Sequence, residues 1–385
     1  MTEYSTPIIT AVIVFAILVF FLWIPWLVYT YRKYGFLPLS LTIISFSFVF
    51  YILSALFLVL LPLPESRDTC AMQNPNTVHY SLMPFQFIED TLKGNWLDLK
   101  NPASYMLLFK QSAFYQVFFN FLLLLPLGVY IRYYLIHKKH WWKAGVAAFT
   151  VSLFFEITQL TGIYGIYNCA YRLFDVDDLM SNTIGGIIGF FIAPAVLAIF
   201  PSKKKIEERA EYLMRKDEVK APVVLIAFGI DLFIIDIIRQ LLLNVINHNE
   251  VTNFIATTIL LLIGLLIVPI LWNGRTLGTA IMRFRYSSKL TKNITRSRMA
   301  KRFVAIYVAY FITVIVTTMN NITVTMDSAY YKASVLLALG STIAGLILTI
   351  VLFIHIMLVL FGKGKRRFFV DESADLYTTR KKGSN

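Results

Sequence analysis

Charge is scarce in this sequence of 385 residues. Only 15% are Asp, Glu, Lys or Arg, against 57% that are hydrophobic, and the mean hydropathy is +0.66. A soluble globular chain carries about 25% charged and 45–50% apolar residues, so that class is excluded, and so is intrinsic disorder, which needs the opposite balance. Cysteine is scarcer still, with 2, which excludes a disulfide-dense secreted scaffold. The histidines His79, His137, His140, His248 and His355 are scattered, so neither a zinc spacing nor a Ser/His/Asp arrangement can be read. Long apolar runs are plentiful. A membrane-crossing helix needs about 20 such residues, and nine stretches qualify, at about 8–31, 38–63, 113–136, 144–162, 179–200, 222–247, 252–272, 302–320 and 333–361. The expected fold class is an all-α polytopic membrane protein with about nine transmembrane helices. Met1–Pro7 lacks a basic stretch and the first run is long enough to span, so an ordinary first helix is expected rather than a signal peptide.

The net charge of +14 reads first as topology. Of the 36 Lys and Arg, 29 fall in Arg32–Lys33, Arg132–Lys143, Lys203–Lys220, Arg275–Arg302 and the tail from Lys363, while six (Arg67, Lys93, Lys100, Lys110, Arg172, Lys332) fall in the alternate loops. Cytoplasmic loops hold the excess of Lys and Arg, so the N-terminus is expected outside and the C-terminus in the cytoplasm. Nucleic-acid binding would want aromatics interleaved with the basic residues on a soluble surface. Lys203–Lys205 and Lys363–Arg367 lie in no such domain, so no nucleic-acid partner is expected; membrane lipids are, through anionic headgroups. The stretch 201–220, opened by Pro201 and rich in Lys and Glu, reads as a short cytoplasmic helix or linker. It divides a five-span part, 1–200, from a four-span part, 221–385, with a basic cytoplasmic loop and tail.

Ionisable side chains inside hydrocarbon are expensive and mark functional sites by default. Four fall within the expected spans: Glu156, Asp231, Asp236 and Arg239. Glu156 and Gln159 are three apart and share a helical face. The outer loop that follows carries Arg172, Asp175, Asp177 and Asp178, and Asn182 comes one turn into the next helix. Asp177 and Asp178 read in two ways. They satisfy the free N–H groups and dipole of a helix start, or they join Arg172 in an outward-facing polar cluster with Glu156 and Gln159 as its floor. Gly185, Gly186 and Gly189 allow close packing of the fifth helix. Within the outer loop 64–112, the stretch Phe85-Gln86-Phe87-Ile88 and Trp96 read as interfacial helices or a re-entrant cap. Cys70 and Cys169 fall on the same outer side, where an oxidising exterior favours a bond between them; two unpaired thiols are the alternative.

The segments Ser81-Leu82-Met83-Pro84-Phe85, Asn120 with Pro126-Leu127-Gly128, Glu156 with Gln159, and Arg172 with Asp177-Asp178, Asn182 and Gly185 run in the order of the VanZ-like family, which residues 10–200 resemble. Residues 162–171 lengthen the loop before Arg172. The resemblance implies a bacterial cell-envelope protein related to the VanZ factor, which raises tolerance to the lipoglycopeptide antibiotic teicoplanin. It adds Asn120 to the candidate ligand-binding set of Glu156, Gln159, Arg172, Asp175, Asp177, Asp178 and Asn182.

Residues 220–380 resemble the RDD family through Ala227 with Asp231 and through Asn273-Gly274-Arg275-Thr276-Leu277-Gly278, with Arg298 or Arg302 and Asp371 as looser matches. Val224 stands where that family's leading arginine would fall. The resemblance implies ion- or proton-coupled antiport and makes Asp231, Asp236, Arg239 and Arg275 transport candidates. Asp236 and Arg239, three apart, also read as a local ion pair. The segment after Gly278, with Ile281, Met282 and Phe284 among Arg283 and Arg285, reads as a helix or hairpin lying on the inner membrane interface. It is not a phosphate-binding loop, because the strand-to-helix setting is absent.

Three functions are therefore expected in order. The first is a non-enzymatic receptor for an amphiphile, a lipid-linked envelope precursor or a lipoglycopeptide. The second is a transporter through Asp231, Asp236 and Arg239. The third is a membrane enzyme that uses Glu156 with Asp177 or Asp178, although such oxygen ligands would also suit Mg²⁺ or Ca²⁺. The sequence implies no cofactor and no metal, and oligomeric state is not legible in it.

Overall fold

A computed structural model of the chain describes residues 2–74, 76–92, 111–135, 137–215, 219–246, 249–288, 295–321, 328–362 and 366–380. Much of the outer loop, including Trp96, lies outside the described residues. The chain forms two compact units. One comprises residues 1–25 and 38–208, the other residues 26–37 and 209–385.

Among the described residues, eight helices are long and apolar enough to cross a membrane. They are α1 (Thr2–Tyr34), α2 (Leu39–Leu60), α4 (Ser112–Leu135), α6 (Val176–Val196), α8 (Ala221–Val245), α9 (Glu250–Leu271), α11 (Arg296–Asn320) and α12 (Tyr331–Phe361). Nine were expected. The run at 144–162 does fold as a helix, α5 (Trp141–Leu160), but it is not among the eight. Thr150, Ser152, Glu156, Thr158 and Gln159 dilute its apolar content, and Ser152, Glu156, Thr158 and Gln159 are buried against protein. Elsewhere the large apolar side chains point outward: Phe20 is 79% exposed and Leu336 68%. Outward apolar faces on such long helices fit lipid as the surrounding solvent, and this is a multi-pass membrane protein.

In the first unit, a short helix α3 (Gln86–Leu92) lies in the outer segment, and two-residue strands β1 (Tyr80–Ser81) and β2 (Phe174–Asp175) pair in parallel. Helix α6 packs on α4 backbone to backbone. A Cβ added at Gly185 or Gly189 would collide with the carbonyl oxygens of Phe121 or Leu125, so only glycine permits this approach. Leu124, Leu127, Ala148, Phe155 and Ala55 fill the core around that contact. Cys70 and Cys169 form a disulfide, with Cα atoms 5.1 Å apart, joining the outer segment to the chain between α5 and β2.

The charged stretch contains helix α7 (Lys203–Arg215), and α8 starts with Pro222 in its first turn, where a missing N–H costs nothing. Helices α8, α9, α11 and α12 carry a small cap at one end. It consists of α10 (Leu277–Ile281), β3 (Phe284–Ser287), α13 (Phe369–Glu372) and β4 (Tyr377–Arg380). Strands β3 and β4 are antiparallel, with Phe284 opposite Arg380 and Ser287 opposite Tyr377. The expectation of a segment lying on the membrane interface is corrected here: Met282, Phe284 and Tyr286 are fully buried because the tail supplies β3 with a partner strand. Arg380 fixes that tail. Its Nε donates to the Tyr31 hydroxyl (3.3 Å), Nη1 to the Leu213 carbonyl (3.2 Å) and Nη2 to the Gly35 carbonyl.

Candidate functional site

The carboxylates expected to cluster form a linked chain at the start of α6. Asp175 is the N-cap: its backbone is extended, and its carboxylate accepts the Asp177 N–H at 2.9 Å. Glu156, on α5, accepts the Asp175 N–H at 3.1 Å and is 5% exposed. Asp177 reaches outward, accepting the Phe85 N–H at 2.6 Å and the Phe87 N–H at 2.9 Å, one on each oxygen. Asp178 accepts from Gln116 Nε2 at 3.3 Å, with Asn120 beside it. Burial, together with the nearby Asp177 and Asp90 charges, pushes the Asp175 carboxyl above its ordinary range, against the lowering by the Asp177 N–H.

The structure therefore brings Glu156, Asp175, Asp177, Asp178 and Asn120 together, with a different logic from a charge-balanced nest. Arg172 was expected to partner the acids. It is exposed instead, and its Nη2 donates to the Leu61 carbonyl at 3.4 Å. Backbone N–H groups donate to Glu156, Asp175 and Asp177 in its place and leave their charge uncancelled. Gln159 shares a face with Glu156 but donates to the Val59 carbonyl of α2 at 2.8 Å. Asn182 donates to the Ser152 hydroxyl of α5 at 2.9 Å. Both of those side chains tie α5 to a neighbouring helix.

The opening is apolar, and sequence reasoning missed it. A cavity of about 480 Å³ lies between α3, α4 and α6, lined by Phe87, Ile88, Phe114, Phe118 and Phe121, with Asp177 and Ser181 at its polar edge. Its signal was present in Phe114, Phe118 and Phe121, which recur at helical spacing. Asp177 is common to the cavity wall and the carboxylate chain.

In the second unit, Asp231 accepts the Gly278 N–H at 2.6 Å and so caps the start of α10 from α8. A Cβ on Gly278 would collide with the Ala227 carbonyl, which explains the glycine. Close by, Arg302 is 2% exposed. Its Nε donates to Asp371 at 2.8 Å, its Nη2 donates to the Tyr286 hydroxyl at 2.8 Å, and the guanidinium lies 4.2 Å from the Tyr286 ring centre. Arg302 and Asp371 were only loose matches in the sequence, because 69 residues separate them. Asp236 and Arg239 do pair, with Nε to carboxylate at 3.0 Å, and Arg239 also donates to Asn253. Arg275 is half-buried in the turn before α10. Among the described residues, no group of three His, Cys, Asp or Glu side chains could hold a metal ion.

The fold and the carboxylate chain define a multi-pass helical membrane protein with a polar site at one end of a tightly packed helix pair. Residues 48–200, which contain that site, match the VanZ/LLP1 family, and residues 201–385 lie outside the match. No curated protein and no solved structure matches the chain.

Proposed function

We propose that the chain is a VanZ-like protein of the bacterial cytoplasmic membrane that binds an amphiphile at the outer end of its first unit, without catalysis, and so raises tolerance to lipoglycopeptides such as teicoplanin. In this reading α5 crosses the membrane with the eight apolar helices, which puts the N-terminus outside and the C-terminus inside, as the distribution of Lys and Arg favours. The two parts, 1–200 and 221–385, are joined by the charged stretch that holds α7. The carrying observation is the apolar cavity beside the acids: an acyl tail would lie among Phe114, Phe118 and Phe121, while an amine- or hydroxyl-bearing head group meets Asp177 and Ser181 at the polar edge. The occupant is a lipid-linked envelope precursor or the lipidated drug itself.

The test is teicoplanin tolerance in a susceptible bacterium expressing the chain. We expect tolerance from the native protein and its loss in Val117→Trp, which fills the cavity, at equal membrane abundance. A native chain that confers none overturns the tolerance reading. Full tolerance in Val117→Trp overturns the cavity as its seat.

One observation favours a second reading for the other unit. The residues picked out by the RDD resemblance, Asp231, Gly278, Arg302 and Asp371, lie around a single buried cluster although they are scattered through the sequence. Ion- or proton-coupled transport through this unit predicts flux in proteoliposomes that Asp231→Asn removes. Flux that persists unchanged in that variant rejects the role of Asp231.

A further inference from the structure

At the other end of α5 from Glu156, charge of one sign gathers. From residue 112 to residue 155 the sequence has no Asp or Glu, yet the join between α4 and α5 carries Arg132, Lys138, Lys139 and Lys143. Lys138–His140 form one 3₁₀ turn, and α5 starts directly after it at Trp141. Helix starts favour an acid, because the first N–H groups and the helix dipole present positive charge there. The first turn of α5 has no acid and His140 supplies no side-chain cap. Lys143 adds a further positive charge to that turn. Arg132 brings another from α4, its guanidinium lying 5.0 Å from the centre of the Phe190 ring of α6. Among the described residues, no ion pair joins any of these four cations to an acid.

The three lysines are exposed, so an anion from outside the chain can reach them. An apolar stripe continues from them along α5. Trp142, Val146 and Phe149 recur at helical spacing and are 51%, 56% and 45% exposed. Lys143 Nζ lies 5.6 Å from the Trp142 ring centre, where the charge meets the stripe. A free anion would satisfy the lysines and leave the stripe uncovered. An amphiphile with an anionic phosphate satisfies both, and α4, which ends at this join, is one of the helices long and apolar enough to cross a membrane.

We propose that the α4–α5 join is a binding site for an anionic phospholipid, with the phosphate on Lys138, Lys139 and Lys143 and an acyl chain along Trp142, Val146 and Phe149. This site is separate from the one proposed at the start of α6 and does not rest on it.

The experiment uses the full-length protein in nanodiscs of phosphatidylcholine with an increasing fraction of phosphatidylglycerol. The readouts are native mass spectrometry of retained lipid and crosslinking to a photoreactive phosphatidylglycerol. We expect phosphatidylglycerol to be retained at least about tenfold over phosphatidylcholine, with crosslinks within residues 137–149. A lysine beside an anionic membrane surface contributes about fivefold. Lys143→Gln is therefore expected to weaken retention about fivefold, and Lys138→Gln, Lys139→Gln and Lys143→Gln together by at least about tenfold. A comparison variant with Lys203→Gln, Lys204→Gln and Lys205→Gln removes the same charge from α7 and is expected to bind as the native chain does. If the first triple variant does not fold, Lys143→Gln against Lys204→Gln makes the same comparison. Equal losses in the two variants would mean that total charge attracts the lipid, and would overturn the site. So would equal retention of the two lipids, or crosslinks that avoid residues 137–149. Displacement of phosphatidylglycerol by an equal concentration of inorganic phosphate would overturn the lipid as occupant.

Discussion

The two units bury charge by opposite means. In the first, four carboxylates crowd the start of α6, and three of them are held by backbone N–H groups, Asp175 N–H on Glu156, Asp177 N–H on Asp175, and Phe85 and Phe87 N–H on Asp177, while Asp178 accepts from the Gln116 side chain. In the second, Arg302 and Asp371 neutralise one another with Tyr286 as a third partner. Backbone N–H groups are supplied by a local fold, so the first cluster lies at a helix start and an outer segment. A side-chain ion pair needs two elements brought together, so the second cluster joins a helix to the chain's tail. The first arrangement leaves negative charge for an incoming donor. The second closes on itself, with the guanidinium of Arg302 sealed against Asp371 and Tyr286.

The sharpest way to break this contrast is to remove one member of the buried pair. Asp371→Ala strands a guanidinium that is 2% exposed, and the expected loss is about 3–5 kcal/mol, read as a large drop in thermal stability in detergent. Asp236→Ala removes the partner of Arg239 in a pair whose side chains are 24% and 47% exposed, and it is expected to cost under about 1 kcal/mol. Equal losses in the two variants would erase the distinction between a buried and a solvated pair.

In the first unit, Asp177→Ala leaves the Phe85 and Phe87 N–H groups without their acceptor. The loss expected is about 3 kcal/mol from two charge-assisted bonds, together with faster protease cleavage between residues 80 and 92. Asp177→Asn retains one acceptor oxygen and is expected to lose about half as much. Reductive cleavage of Cys70–Cys169, or Cys70→Ser, frees a loop of 99 residues and is expected to cost about 2–4 kcal/mol. Alkylation of the unreduced native protein is expected to label neither cysteine, and labelling of both would remove the link.

The smallest effect is the most diagnostic of the backbone-N–H mechanism. Asp175→Asn keeps an N-cap acceptor for the Asp177 N–H but removes a charge from the crowd. Because burial raises the folded-state pKa of Asp175, its ionised form destabilises the fold, and that cost is present when pH is high and fades as the group protonates. Asp175→Asn is therefore expected to leave the melting temperature unchanged or slightly raised at about pH 7.5, with the difference shrinking toward about pH 5. A large drop at both pH values would mean that the charge itself holds α6 in place.

Much of this was legible beforehand because membranes impose simple rules. Apolar length marked nine runs that fold as helices, eight of them apolar enough to cross a membrane among the described residues, and the Glu156, Asp175, Asp177 and Asp178 set converged as their order in the chain indicated. What could not be read was who satisfies whom. Arg172 looked like the natural counter-ion, yet a local N–H is always nearer than a long side chain and needs less ordering to reach. Hydropathy also misjudged α5, since a helix sheltered by neighbours can hold Ser152, Glu156 and Gln159 where a lipid-facing one cannot. The Arg302–Asp371 pair and the pairing of β3 with β4 were invisible because both depend on a tail far away in sequence.

That tail has a consequence for how the protein is made. Asp371 and β4 follow α12, so a ribosome makes α8, α9, α11 and α12 before it delivers the counter-ion for Arg302 or the strand that pairs with Phe284–Ser287. Until residues 366–380 emerge, the second unit holds a guanidinium without its acid, and its closure waits on a segment made after its long helices.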